Sequence, residues 1–404
     1  MTHSGSILFA RQPILDLDLK IAGYELLFRS SEASSSDAQS AESMTADVAT
    51  RAMLDIGLDT LIGPSRAWIN CSRDFLVQRT FQALSPERIV LEVLESVQAE
   101  PAVLDAILEA RAQGFTIALD DFEVSHENAA LLDVSDYVKV DCFNKSPAQI
   151  EREARTLAAP NRGLLAEKVE TQEIFEVCRK AGFTLFQGYF FTRPSLVHGT
   201  AMQSNRVQIL RLLAELHHPD ATVQSVTDLV QSDVTLAYRL MRQANSARTG
   251  RAVKFENLRD AISMLGLDRV RACAALLMLG TAADKPSELA TLALVRARYC
   301  QLVGEALHED AHKYFVVGLF SVLEAYLDDT MDHITGLLSL DRDLTEALVR
   351  RSGKLGDALD SALKSELADF DGGALSSLDT AERAQCYLSA LSWANQTQAS
   401  MQGL

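Results

Sequence analysis

The pattern of apolar and polar residues changes near residue 200. Before that point, short runs rich in β-branched and aromatic residues alternate with stretches of helical periodicity. Such alternation is typical of parallel strands joined by helices. About eight strand–helix units fill this part of the chain, the number found in a TIM-like barrel. The predicted strands are ILFARQPI, IAGYELLF, RAWINCS, RIVLEVLES, FTIALDDF, YVKVDCF, GLLAEKVE and TLFQGYFF.

The first two predicted strands depart from this order, because only the short polar segment LDLDLK separates them. A connection this short is typical of an antiparallel hairpin. We therefore expect an α/β TIM-like barrel with an antiparallel first strand over residues 1–194. A linker at 195–201 follows, where Pro194 and Gly199 interrupt the chain.

From about Ala201 onward, apolar residues recur at intervals of three and four, the period of amphipathic helices. Examples are VQILRLLAELHH, NLRDAISMLG and YFVVGLFSVLEAYL. Residues 202–404 are therefore predicted to form an all-α domain.

Composition narrows the classes of function. The chain is 48% hydrophobic and 23% charged, as in ordinary globular proteins. Its net charge of −17 argues against binding to nucleic-acid duplexes or membrane surfaces, which require a basic face. None of the six cysteines forms a C-x-x-C pair, and no signal peptide or membrane-spanning run is evident. These features predict a reduced, cytoplasmic protein.

Polar residues suited to metal binding follow one predicted strand after another. The carboxyl ends of barrel strands lie at one face, where barrel chemistry is built. Carboxylates together with an Asn amide suit Mg²⁺ or Mn²⁺, and paired divalent metals are common in phosphodiester hydrolysis. The residues are Glu25, Asn70, Glu92, Glu95, Asp120, Asp121, Lys139, Glu167, Glu170 and Gln187.

Each residue alone has an ordinary structural interpretation. An Asp at a strand end commonly caps the next helix, and Lys139 between two valines could extend from a strand to solvent. A glycosidase also places two carboxylates on a barrel, but it explains neither Asn70 nor Lys139. The low aromatic content, 6%, also fits a sugar site poorly.

At this point the motifs resemble those of the EAL domain, which hydrolyses cyclic di-GMP. The resemblance covers about Ser6–Pro194 and keeps the family's order. It rests on RQPI, YELLFR, WINCS, LEVLES, ALDDF, VKVD, AEKVET and FQGYFFTRP.

The resemblance implies a role for each matching residue. Glu25, Asn70, Glu92 and Asp120 would ligate a first metal, and Asp121 would help to hold a second. Lys139, Glu167 and Glu170 would be catalytic. Substrate contacts would come from Gln12, Arg29 and Gln187, and Glu95 would support the loop after the Asp pair.

This sequence departs from the family in that loop. The family has a Gly-rich D-D-F-G-x-G pattern, whereas this chain reads DDFEVSHENAAL. Without glycines the loop loses tight turns with positive φ, which would displace Asp121 or a second metal. Lys168 also stands where the family has Gly, and Glu25-Leu26-Leu27 replaces the signature Glu-Ala-Leu.

The C-terminal half resembles an HDOD domain over about Met202–Gly373, on LVQSDVTLAYRLMRQANSA and NLRDAISMLGLDRVRACAAL. HDOD domains are related to HD phosphohydrolases, whose metal site uses an adjacent His-Asp pair. None of the eight histidines here precedes an Asp. The resemblance therefore implies a regulatory or protein-binding module.

Three hypotheses stay open at this stage. The barrel hydrolyses cyclic di-GMP to linear pGpG with Mg²⁺ or Mn²⁺ under control of the helical half. Alternatively it binds cyclic di-GMP without turnover and signals through HDOD contacts, or it is a scaffold without ligand. The resemblance also implies a possible homodimer and a protein partner that the sequence does not name.

Overall fold

The computed structural model describes most of the barrel and parts of the C-terminal half. The described residues are 7–30, 57–122, 128–192, 218, 220–231, 257–267, 270, 285–338, 340–367, 369, 375 and 377–402. The predicted linker at 195–201 lies outside them.

Eight strands form one closed barrel in sequence order, which confirms the predicted fold class. The first two strand motifs quoted above lie within β1 and β2, and each of the other six contains one strand. Their bounds are β1 Ile7–Asp16, β2 Ile21–Ser30, β3 Ala67–Cys71, β4 Ile89–Val93, β5 Thr116–Leu119, β6 Tyr137–Asp141, β7 Gly163–Glu167 and β8 Leu185–Gln187.

The first strand runs against both of its neighbours. β1 pairs antiparallel with β2, placing Gln12 opposite Glu25, and antiparallel with β8, placing Ile14 opposite Gln187. All other neighbouring pairs are parallel. The predicted hairpin is therefore confirmed, and β1 closes the barrel between the second and last strands.

Helices and short 3₁₀ turns connect the strands. Their local signals are conventional: Pro147 occupies the first turn of its helix after Ser146, which forms a capping box with Gln149. The helices are α1 Leu58–Ile62, α2 Arg73–Val77, α3 Pro101–Ala112, α4 Ala129–Asp133, α5 Pro147–Leu157 and α6 Gln172–Ala181. The 3₁₀ turns are Thr80–Ala83 and Phe190–Thr192.

A layer of apolar side chains fills the barrel below the polar face. It consists of Ile14, Trp68, Val90, Ala118, Leu165 and Leu185. Side chains alternate between the two faces of a strand, so a residue two positions away points the same way. The residues two positions from this layer are Gln12, Asn70, Glu92, Asp120, Glu167 and Gln187. The apolar layer is therefore the floor of the predicted site.

The described part of the C-terminal half is mostly helical, as predicted. Two of its helices, Ser287–Ala306 and Ala311–Phe320, pack closely because Gly318 lies against the Arg296 backbone, where any Cβ would collide. Tyr299 is buried and its hydroxyl lies 2.7 Å from Ser361 Oγ. The helices are α7 Val223–Gln231, α8 Leu258–Leu265, α9 Ser287–Ala306, α10 Ala311–Phe320, α11 Leu323–Leu327, α12 Met331–Leu338, α13 Arg342–Arg350, α14 Gly353–Ser365 and α15 Thr380–Gln402.

Candidate metal and phosphodiester site

Three buried carboxylates converge at the polar end of the barrel. Oxygen atoms of Glu25, Glu92 and Glu167 all lie within 4.8 Å of one another. All three residues are buried, and Glu92 is fully inaccessible. Among the residues that the structure describes, this is the one group of three or more His, Cys or acidic side chains spaced for a metal ion.

Lys139 lies at the centre of this group and is only 1% exposed. Its Nζ lies 2.7 Å from Glu167 Oε1, 2.8 Å from Asp120 Oδ1 and 3.3 Å from Glu25 Oε2, and it also contacts Glu92 Oε1. A buried ammonium group requires such pairing, because isolated charges are costly away from water. Four carboxyl groups thus share one cation.

The four carboxyl groups outnumber the single ammonium group, and this imbalance together with burial shifts pKa values in the cluster. Burial raises the pKa of Glu92 well above its usual value, and the nearby Glu25 carboxylate raises it further. Burial also raises the pKa of Glu167 to about 8, although Lys139 opposes the shift. Burial alone would lower the pKa of Lys139, but the surrounding carboxylates raise it well above the usual range. Lys139 therefore stays charged, while the raised pKa values of Glu92 and Glu167 favour the protonated forms of these two acids.

Gln187 connects the last strand to the first two. Its Nε2 donates to Gln12 Oε1 and to Glu25 Oε2, both at 2.7 Å. The next residue, Gly188, has φ +147° and lies so close to the Val169 backbone that any side chain would collide there. The glycine lets the chain turn away immediately after Gln187 has reached the site.

Several buried oxygen atoms of the site have no hydrogen-bond partner in the described part of the chain. They are Asn70 Oδ1, Glu92 Oε2 and Gln187 Oε1. An unpaired buried acceptor is unfavourable unless some other group satisfies it. The donor set of carboxylate and amide oxygens is the one preferred by Mg²⁺ and Mn²⁺. The residues therefore fit a hard divalent cation.

Each of the eight strands contributes one residue to this site. Asp120 directly follows β5, and the other seven lie within their strands. The eight are Gln12, Glu25, Asn70, Glu92, Asp120, Lys139, Glu167 and Gln187.

Three predicted residues differ from the buried group in being exposed: Asp121, Glu170 and Glu95. Asp121 has φ +39°, an unusual conformation for a residue other than Gly. Glu95 lines a small cavity together with Phe122 and Asn128. The side chain of Arg29 and the loop residues 123–127 lie outside the described residues.

Asp141 is a polar contact that the sequence reasoning did not assign. Its Oδ2 accepts from Lys168 Nζ at 2.5 Å, and its Oδ1 accepts from the Phe143 backbone N–H at 2.6 Å. Asp141 lies two residues after Lys139 on the same strand, so strand alternation was the available signal. Lys168 has φ +50°, a conformation that Gly adopts more readily than residues with a side chain.

The structure thus combines a closed eight-stranded barrel with a cluster of buried carboxylates at its polar end. The EAL domain model matches residues 2–194, and the HDOD domain model matches residues 204–324. The chain therefore belongs to the EAL domain family and carries an HDOD domain in its second half.

Two relatives align with this chain over most of their length. The cyclic di-GMP phosphodiesterase CdgJ of Vibrio cholerae is 35% identical over 373 residues, covering 90% of this chain and 85% of CdgJ. The uncharacterized protein YuxH of Bacillus subtilis is 27% identical over 401 residues, covering 96% of this chain and 98% of YuxH. A solved complex of Klebsiella pneumoniae BlrP1 with calcium and cy-diGMP is 22% identical, with a TM-score of 0.37, covering 47% of this chain and 56% of BlrP1.

Two further observations concern membrane-spanning helices and the state of the cysteines. None of the described helices combines the length and apolar character needed to cross a membrane. Among the described residues, Cys71, Cys142, Cys178, Cys300 and Cys386 are not joined by disulfide bonds.

Proposed function

We propose that the barrel hydrolyses cyclic di-GMP to linear pGpG with Mg²⁺ or Mn²⁺. The observation that carries this proposal is the buried Lys139 surrounded by Glu25, Glu92, Asp120 and Glu167. The similarity to CdgJ over 90% of the chain supports the same reaction and substrate.

The residues divide into three tasks in this proposal. Glu25, Asn70, Glu92 and Asp120 hold the first divalent ion, and Asp121 helps to hold a second. Bound divalent ions supply charge stabilisation at the phosphate and favour ionisation of water near neutral pH.

Lys139 supplies a fixed positive charge at the reacting phosphate, because its ammonium group is already held by the carboxylates and needs little reorganisation. Glu167 accepts the proton of the attacking water, for which a raised pKa near neutrality is suitable. Glu170 completes the catalytic set. Gln12 and Gln187 position the substrate with Arg29, and Glu95 supports the loop.

The test follows linear pGpG by chromatography after incubation of the full chain with cyclic di-GMP and Mn²⁺ or Mg²⁺. We expect turnover by the wild type and a loss of at least about 100-fold in Glu25→Gln, which keeps the shape but removes a ligand charge. Glu109→Gln is the matched control, since Glu109 pairs with Arg79 on the surface. Wild-type protein without metal-dependent turnover would overturn the enzyme proposal.

A second candidate function is a cyclic di-GMP receptor with impaired turnover. The exposed Asp121 at φ +39°, directly before the glycine-free loop, favours it. Retained binding of intact cyclic di-GMP in the absence of turnover would identify this case.

For the second half we propose a regulatory or output role through a protein partner, with homodimerisation as a further property of the chain. The proposed location is the cytoplasm. The reduced state of the described cysteines supports this location, because disulfides are rare there.

A further inference from the structure

An open cavity of about 530 Å³ adjoins the carboxylate site. Its inner wall includes Asp121 and Lys139, and its outer wall is formed by Phe143, Lys145 and residues of α5. Cavities of this size commonly hold small organic ligands. Because it shares Lys139 with the proposed site, a molecule whose phosphate reached the carboxylates could place its remaining atoms here.

Phe143 presents an aromatic ring to this cavity and is 49% exposed. Its position is fixed by the backbone: its N–H donates to Asp141 Oδ1, and Asn144 follows with φ +55°. Exposed aromatic rings on rigid supports are common stacking partners for nucleobases, whose faces are equally flat and polarisable. The ring therefore suits the base of a nucleotide.

The cations of the outer wall are not equally available. Lys145 Nζ is paired with Glu153 Oε2 at 2.6 Å. Arg152 lies on α5, and its guanidinium group is exposed. Within the described residues, this group has no ion-pair partner. The chain carries a net charge of −17, so an anionic ligand depends on such local cations. A guanidinium group also matches phosphate oxygens well.

We propose that this cavity holds one nucleoside half of the cyclic dinucleotide. Phe143 stacks against the base, and Arg152 supplies the positive charge for the phosphate that is not cleaved. This inference rests on the proposed function and assigns a substrate-affinity role to two residues of this chain.

Binding of cyclic di-GMP to the full chain in the presence of Ca²⁺ tests the inference by calorimetry, with chromatography to show that the ligand stays intact. We expect Phe143→Ala to raise Kd roughly 10-fold, within the range usual for one stacked base. Phe143→Tyr restores affinity. Leu108→Ala, which removes another exposed apolar side chain on α3, leaves affinity unchanged.

A comparison of Arg152→Gln with Arg155→Gln tests the role of the Arg152 charge, because both residues lie on α5. Arg155 is exposed and pairs with Glu151, so its replacement controls for the loss of a surface charge. We expect only Arg152→Gln to weaken binding and to reduce the dependence of Kd on salt concentration.

Steady-state hydrolysis of cyclic di-GMP separates this inference from the proposed function. We expect Phe143→Ala to raise KM for cyclic di-GMP, while the wild type still produces linear pGpG. Wild-type Kd in Phe143→Ala would overturn the cavity assignment alone. Failure of the wild type both to bind and to hydrolyse cyclic di-GMP would overturn the proposed function as well.

Discussion

The ammonium nitrogen of Lys139 lies 2.7 Å from Glu167 Oε1 in the barrel interior. The same nitrogen also bonds to three further carboxyl groups, so this one cation offsets part of the repulsion among the acids. Removal of one partner from a buried ionic group is expected to be costly because the others are left uncompensated.

Lys139→Met should therefore lower the free energy of unfolding of the metal-free protein by about 3–5 kcal/mol. Chemical denaturation in EDTA measures this change. Lys145→Met is the matched control, and its partly exposed pair with Glu153 predicts a loss of about 1 kcal/mol or less. Added Mn²⁺ should restore much of the Lys139→Met stability, since the ion supplies the missing positive charge. Equal losses in the two variants would contradict the pairing argument.

The raised pKa of Glu167 predicts a pH dependence of stability. Its carboxyl binds a proton more tightly in the folded than in the unfolded protein, with a folded pKa of about 8. Its contribution to stability is therefore complete below about pH 4.5 and is lost as pH rises toward and through 8. Thermal midpoints of metal-free protein should show this fall, and Glu167→Gln should flatten it between pH 5 and 8.

The affinity for a divalent metal should have the opposite pH dependence. Divalent ions bind the ionised carboxylate, so metal binding releases protons and strengthens as pH rises. The increase in thermal midpoint caused by Mn²⁺ should therefore be larger at pH 8 than at pH 6. The same increase at both pH values would mean that no carboxyl group of the site titrates in this range.

Lys168 provides a test of backbone strain. It holds φ +50° and pairs with Asp141. Lys168→Ala removes the pair and keeps the unfavourable conformation, whereas Lys168→Gly removes the pair and relaxes the conformation. We expect the Gly variant to be more stable than the Ala variant by about 1 kcal/mol, measured by urea denaturation. Equal stabilities would show that the left-handed conformation is not costly here.

The sulfur atoms of Cys142 and Cys178 lie 3.6 Å apart. Their hydrogen bond, followed by burial, raises the pKa of Cys142 far above that of an ordinary thiol. Because the thiolate is the reactive form, Cys142 should resist iodoacetamide at pH 8 in the folded protein. Peptide mass mapping should find Cys386, which is partly exposed, labelled before Cys142. Equal labelling rates at the two cysteines would contradict the protected environment.

Much of the barrel could be predicted because its strands carry two signals at once. In RAWINC, for example, the apolar run predicts a strand, and Asn70 marks its polar end. The hairpin at Asp16–Ile21 follows from the short connection between two apolar runs. Local periodicity therefore determined strand order, and the two-residue alternation determined which residues share the polar face.

The arrangement within the site could not be predicted in the same way. That Lys139 bonds to Asp120, Glu25, Glu92 and Glu167 together depends on barrel radius and stagger, which are set by all strands jointly. The contact of Gln187 with Gln12 depends on the closing pair β1–β8. Likewise, the exposure of Phe143 follows from tertiary packing, because its sequence neighbourhood VDCFN gives no sign that the ring faces a cavity.

The hydrogen bond between Gln187 and Glu25 joins positions 162 residues apart in the chain. It can form only when the last strand has docked against the first, since β1 separates β8 from β2. An open sheet lacking this seam would hold its carboxylates on a flat, solvated edge with no common centre. The complete site therefore requires a closed barrel, so the integrity of the carboxylate cluster reports on barrel closure.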